Sequence, residues 1–391
     1  MIYHDPQKKN STLTTQVVCA VLFCAFSFSW LFWFQADLLA VAQHVLSGGV
    51  THYDRTVGAV LITLVLQLLQ FLVKGMTRLF KRAHALTYLP SMFALAVISD
   101  ISPDIDLHFS LGAWYLVVPL VLVLWAVGVW LLGASSKASP VKESTGLFSR
   151  RVWVNTLQLG AMMLAVALVG TTNAVFHYRA HAETALSEGN VDEALRVGEE
   201  SLESDVHLTM LRVYALSKKG LLGDCLFHYP VVGGSKDMLP LEGSESRLMM
   251  LPKDSLWIHL GARPAATLNV QRYLRALQRD SLATPAVADY MLCGYLVDRD
   301  IDGFVSTLKQ LRHVGDTIRE PLPRHYREAL TLYMHQRSHP VVVYRDAVME
   351  EDWNNLQELE RKYPSLTERM GAIDEHYHGS FWYYYFYKQN K

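Results

Sequence analysis

The sequence predicts an all-α protein in two parts. A transmembrane helix bundle of about five spans takes residues 1–176, and an α-solenoid of degenerate helical repeats takes residues 177–391. Three observations predict this. Apolar runs long enough to cross a bilayer, about 20 residues at about 1.5 Å of rise each, lie only in the first part. The charge divides at the same place: residues 1–176 hold 11 Lys/Arg against 7 Asp/Glu, and residues 177–391 hold 25 against 30. The second part carries apolar residues at helical spacing, in paired segments separated by Gly, Pro and Asp. Neither part shows a clustered basic face, so a nucleic-acid partner is not expected.

Four runs reach or approach span length: 13–34, 56–73, 111–134 and 152–176. A fifth, 84–101, is weaker and holds Pro90 near its start, where proline is tolerated. Loop charge decides whether it crosses. Lys and Arg stay on the cytoplasmic side, and five crossings put Lys8 and Lys9, then Lys74, Arg78, Lys81 and Arg82, then Lys137, Lys142, Arg150 and Arg151 together on one face. The opposite face receives Arg55 and the acidic loop with Asp104 and Asp106. The expectation is five spans, N-terminus inside and the second part outside. Trp30, Trp33, Trp114 and Trp153 lie near the predicted ends, where indole prefers the interface. The first run has a basic start, but its apolar core is too long for a signal peptide, and it reads as an uncleaved anchor.

Mid-span positions are almost free of ionisable residues, which argues against a transport pathway. Gln67, Gln70, Asn155 and Gln158 are polar but neutral and are expected to hydrogen-bond between helices. The loop SDISPDID, with Asp100, Asp104 and Asp106, reads as a solvated turn rather than a cation site. Cys19 and Cys24 sit in the first run as small apolar groups. Cys225 and Cys293 could pair in an oxidising compartment, but are expected to be two buried thiols.

The second part opens with HYRAHAETALSEGNVDEALRVGEESLESD. Gly189 allows a left-handed turn between two helices, Ala194 permits their close approach, and Leu195 and Leu202 stand seven apart on one face. Gly189, Asn190, Val191, Asp192, Glu193, Ala194 and Leu195, then Ser201, Leu202 and Asp205, follow the second half of a tetratricopeptide repeat. Tyr178, Ala182 and Ala185 fall where its first helix wants one large and two small residues. The stretch therefore resembles such a repeat, with Ala182 in place of the usual glycine. No linker separates it from the last span, so that span is expected to continue into the first repeat helix.

The likeness decays afterwards. Residues 206–219 make another first helix, and the Gly- and Pro-rich stretch that follows must turn repeatedly. Helical periodicity returns at 256–260, 267–280, 285–311, 322–336, 342–362 and 364–377, which suffices for a short solenoid. The tail FWYYYFY, Phe381 to Tyr387, reads as a cap over the last helices, with an interfacial anchor as the other reading.

No GxSxG, P-loop, GxGxxG or kinase set is present, and no spacing pairs Ser or Cys with His. His335 and His339 are four apart, but no acidic residue completes a HExxH pattern and Pro340 ends the helix. No catalytic, cofactor or metal residues are assigned, and the chain is not expected to be an enzyme. HYRAHAETALSEGNVDEAL, LTMLRVYALSKKG, LPRHYREALTLY and FWYYYFY resemble uncharacterised multi-pass inner-membrane proteins of Bacteroidetes-type bacteria with a tetratricopeptide-like C-terminal domain. That resemblance implies the bacterial inner membrane, and with the loop charges a periplasmic second part, but no reaction. The leading expectation is a membrane-anchored scaffold that holds a peptide or protein of the cell envelope, with membrane lipid as its other contact. Its groove would present Arg179, Glu183 and Arg212. Two alternatives stand beside it. A transporter or channel component would need Gln67, Gln70, Asn155 and Gln158 to converge on one cavity. A membrane enzyme acting on lipid or cell-wall intermediates would need a pocket at the acidic loop joining Asp104 or Asp106 to a His or Arg.

Overall fold

The computed structural model describes residues 6–77, 83–134, 149–264, 268–311 and 321–388, with only the backbone at 6–12 and 132–134. These residues are all-helical and divide into two compact units, Met1–Asn173 and Ala174–Lys391. The basic residues Arg78, Lys81, Arg82, Lys137 and Lys142 lie outside the described residues, as do the side chains of Lys8 and Lys9.

In the first unit, α1 (Pro6–Ser29) runs into a π-helical turn, Trp30–Phe34, and then α2 (Ala36–Leu46). Next come α3 (Arg55–Met76), a 3-10 segment His84–Tyr88 continued by α4 (Leu89–Ser99), α5 (Trp114–Ala134) and α6 (Arg150–Val169). Asp54 caps α3 by accepting from the Val57 N–H, and Ser149 caps α6 by accepting from Val152. Among the described residues, four helices are long and apolar enough to cross a membrane: Leu13–Phe34, Arg55–Met76, Trp114–Leu131 and Arg150–Val169. The fifth expected span is shorter, five residues of 3-10 and eleven of α-helix, or about 26 Å at about 2.0 and 1.5 Å per residue.

Hydrogen bonds tie that short segment across the bundle. At its start the Ala85 N–H donates to Asn155 Oδ1 at 2.7 Å, and just past its end the Ile101 N–H donates to Thr171 Oγ1 at 2.9 Å. It therefore runs alongside α6, from Asn155 to Thr171 just past the helix end. At the Ile101 end, Trp30 Nε1 donates to Ser99 Oγ at 2.8 Å, Trp114 Nε1 to Asp100 Oδ2 at 2.7 Å, and Arg55 Nε to the Phe32 carbonyl at 2.5 Å. At the other end Lys74 Nζ reaches Gln16 Oε1 at 2.9 Å. The ends of α1, α4 and α6 thus meet the starts of α3 and α5.

In the second unit, α7 (Ala174–Ser187) and α8 (Val191–Arg196) form the first helical pair, and both pack on α9 (Val206–Lys219). Gly189 takes the left-handed turn, φ 81°, and Asn190 caps α8 by accepting from the Glu193 N–H. Two expectations fail here. α6 does not continue into α7, because it ends at Val169 and helix resumes only at Ala174. And α8 stops at Arg196 rather than reaching Leu202, which is 77% exposed. The cause is Gly198, which adopts φ 61° with the Tyr178 ring against its Cα, leaving no room for a side chain.

After α9, capped by left-handed Gly220, the chain turns through α10 (Leu222–Cys225) and a loop to α11 (Lys253–Leu260) and α12 (Val270–Arg279). The pair α13 (Pro285–Val297) and α14 (Ile301–Leu311) follows, then α15 (Arg324–Gln336), α16 (Ala347–Lys362), α17 (Leu366–Tyr377) and α18 (Phe381–Tyr387). α10 wedges between α13 and α15, so the later helices share one core with the earlier ones. The aromatic tail is α18. It caps the fold, with Phe381, Trp382 and Tyr384 buried against α15 and α17.

Candidate functional site

Arg179, Glu183 and Arg212, expected on an open groove, are 2%, 0% and 2% exposed. Each is taken up by the protein's own backbone. Glu183 Oε1 accepts three successive N–H groups, from Met249, Met250 and Leu251, at 2.6, 2.7 and 2.9 Å. Burial still raises its carboxyl above the usual range, against those bonds and the nearby Arg179. Arg179 donates to the Arg247 carbonyl at 3.1 Å, so both side chains hold the same loop on α7. Arg212 donates to the Val197 and Gly198 carbonyls at 3.3 and 2.9 Å, closing the end of α8, and lies over the Tyr229 ring. Small helical residues at repeat spacing foretold the helix pair. Which charges faced inward depended on loops far along the chain.

The open surface chemistry lies instead at the start of α15. Arg324 and Glu328 stand one turn apart there, with His325 beside them. Glu328 is buried: Oε1 accepts from Arg324 Nε at 2.8 Å, and Oε2 accepts from His325 Nδ1 at 3.0 Å and from the Phe381 N–H at 2.7 Å. Burial would raise its carboxyl, but the His325 and Arg324 partners prevail and hold it below the usual range. His325 Nε2 accepts the Phe227 N–H at 3.4 Å, which assigns the ring proton to Nδ1.

Outside this core, Arg324 Nη1 lies 3.4 Å from His228 Nε2. Burial, with His325 and the Arg324 guanidinium beside it, keeps His228 below its usual value. Arg324, 42% exposed in its side chain, stands between two clefts. One, of about 690 Å³, is lined by Arg324, Asp352, Asn355, Glu358, Lys362 and Tyr377 of α15, α16 and α17. The other, of about 420 Å³, takes Glu199, Glu200, Ser201, His228 and His378. Both carry charges of both signs.

Ser217 Oγ pairs with His259 Nε2 at 2.8 Å, 42 residues apart and invisible to motif spacing. Ser217 is buried and lines neither cleft. Cys225 and Cys293 are free thiols; burial pushes the Cys293 thiol far up, which leaves it unreactive. Among the described residues no three His, Cys, Asp or Glu side chains gather as metal ligands. The helix ends at Gln336, so His339 is off it, and His335 pairs with Glu350 at 2.9 Å.

In the first unit, Gln67 Nε2 donates to Gln70 Oε1 at 3.0 Å and Gln70 Nε2 to Thr87 Oγ1 at 2.8 Å. Asn155 bonds Ala85, as above, so these groups clasp helices directly. At the acidic loop a pocket does form, but its lining includes Asp100 and His108 rather than Asp104 or Asp106.

The second unit is thus a helical domain with two surface clefts beside Arg324. A family model described as a family of unknown function (DUF6057) matches residues 265–388, the stretch that holds α12 to α18, the Glu328 cluster and the larger cleft. No curated protein and no solved structure matches the chain. No enzyme family is found.

Proposed function

We propose that the chain is a membrane-anchored helical scaffold of the bacterial cell envelope that holds a charged peptide segment of a protein partner. The observation that carries this reading is the open cleft between α15, α16 and α17, whose polar walls offer both signs of charge to an extended segment. The degenerate tetratricopeptide likeness of the first helical pair agrees with a binding role. The first unit is the anchor. The bonds from Ala85 to Asn155 on α6, and from Ile101 to Thr171 just past its end, support reading the segment between them as a fifth crossing. An odd number of crossings sends residues from 174 onward to the face opposite the N-terminus, and the loop charges make that face periplasmic.

The test is a photocrosslinking residue at Asn355, in the cleft, against one at exposed Glu188, outside it, in intact cells. Reporter fusions after His177 and Lys391 read the sidedness. The expected result is a discrete adduct from position 355 alone, abolished by Lys362→Glu, with both fusions active only outside. The same adducts from 355 and 188, or cytoplasmic fusions, would sink the reading.

A further inference from the structure

The first unit holds a cavity that the scaffold role leaves unused. It lies at the end of the bundle where α4 finishes and α3 and α5 begin, with α2 forming one wall. Its volume is about 380 Å³. The walls are aliphatic and aromatic, among them Leu39, Leu46, Ile62, Ile98, Ile105 and Phe109, while Asp100 and His108 are among the few polar lining groups. This is the form of a ligand site: an apolar body with a small number of polar groups to orient the guest. The polar edge is built rather than accidental. Trp114 Nε1 holds Asp100 at 2.7 Å, and the Tyr53 ring lies against Gly58, where a Cβ would meet it.

Two features identify the guest. Ile98, Leu107 and Phe109 at this end are exposed apolar side chains, so the neighbourhood that feeds the cavity is the hydrocarbon around the bundle. The segments that form this end, residues 36–54 and 100–113, contain Asp37, Asp54, Asp100, Asp104 and Asp106 and no Lys or Arg. Arg55, next in sequence, is turned onto the Phe32 carbonyl and ring. A phosphate-headed anionic lipid meets repulsion there, whereas a headgroup ending in an ammonium meets attraction. We propose that this cavity binds one acyl chain of an amine-bearing zwitterionic phospholipid, phosphatidylethanolamine in chemistry, with its ammonium toward Asp100. The inference rests on the membrane reading of the first unit and not on the partner cleft.

The experiment places the full chain in phosphatidylglycerol vesicles doped with phosphatidylethanolamine carrying a diazirine at the end of one acyl chain. A parallel sample carries the same diazirine on phosphatidylglycerol. Adducts are mapped by mass spectrometry. The ethanolamine probe should label the segments around Ile62 and Ile105 roughly fivefold more than the glycerol probe, as about 1 kcal/mol of preference gives. Filling the cavity by Ile62→Trp, or by Ala42→Trp should the first fail to fold, should remove that excess, and Asp100→Asn should lower it. Equal labelling by both probes, or labelling untouched by the filling variants, overturns the proposal. Both probes should also label Leu116 and Leu120 on the outward face of α5 alike. Loss of that control labelling overturns the membrane reading, and the proposal with it, and is told apart from failure at the cavity alone.

Discussion

In the first unit the polar groups clasped between helices are neutral: Gln67, Gln70 and Thr87 in one chain of bonds, Asn155 on the Ala85 amide. In the second unit the corresponding groups are ionisable: Arg179, Glu183, Arg212 and Glu328, each bonded to backbone. The exteriors differ in the opposite sense. The first unit exposes Leu, Val and Trp along α3, α5 and α6, and the second exposes mostly charged residues. The proposed membrane setting of the first unit accounts for both. A chain inserted in hydrocarbon cannot carry an ion through at small cost, so its internal fastenings are amides and hydroxyls. A chain folding from water can bury a carboxylate, provided several donors replace the lost hydration.

The comparison extends to two of the buried carboxylates, Glu183 and Glu328, which are held differently. Glu328 uses both oxygens, whereas the three bonds at Glu183 all fall on Oε1. The largest expected effect is therefore Glu328→Gln. The amide NH₂ must face either Arg324 or the His325 and Phe381 donors, and the loss should be about 3 kcal/mol. Urea unfolding of the detergent-solubilised chain, read on the burial of Trp382, measures it. An unchanged midpoint would show that the cluster is not fastening α18 to α15.

Next is Gln70→Leu in the bundle, which breaks the links to Gln67 and Thr87. A loss of about 1 kcal/mol is expected, because bilayer hydrogen bonds are individually weak. Steric trapping in bicelles reads this, and a loss as large as that of Glu328→Gln would break the contrast drawn between the units.

The smallest effect is Glu183→Gln, whose amide oxygen can keep all three backbone bonds. At pH 7 it should be neutral or stabilise by up to about 1 kcal/mol. The sign follows from linkage. The folded carboxyl of Glu183 is raised, so wild-type stability falls as pH rises through that folded value, and the variant escapes the loss. Glu328 runs the other way. Its folded carboxyl is lowered, so its contribution is present above the unfolded value and disappears as pH falls through the folded one. Stability curves of wild type and Glu183→Gln should converge at acid pH and separate toward neutrality. Parallel curves would show that Glu183 is ionised in the fold without penalty.

Much of this architecture was legible in the residues. Apolar length marked the four long helices, because a span needs about 20 apolar residues whatever its neighbours. Gly189 and Asn190 marked the first helix-to-helix turn, because left-handed backbone and a capping side chain are local requirements. Apolar spacing marked α9 at 206–219, whose ends Asp205 and Gly220 cap in the structure. The end of α8 was misjudged because Gly198 answers to the Tyr178 ring, twenty residues earlier. The candidate site was the least legible part. Arg179, Glu183 and Arg212 have the spacing of a groove face, but the loop at 247–251 and the end of α8 cover them. Arg324, in turn, owes its place between two clefts to α16, α17 and the loop holding His228.

By itself the sequence determined the all-helical class, the division into an apolar and a charged half, and most helix positions, since periodicity, caps and apolar length act within one or two turns. Only the tertiary structure decided which ions are buried, where the clefts open, and that the short segment from His84 runs alongside α6. Those outcomes depend on contacts between residues tens of positions apart, which no local pattern encodes.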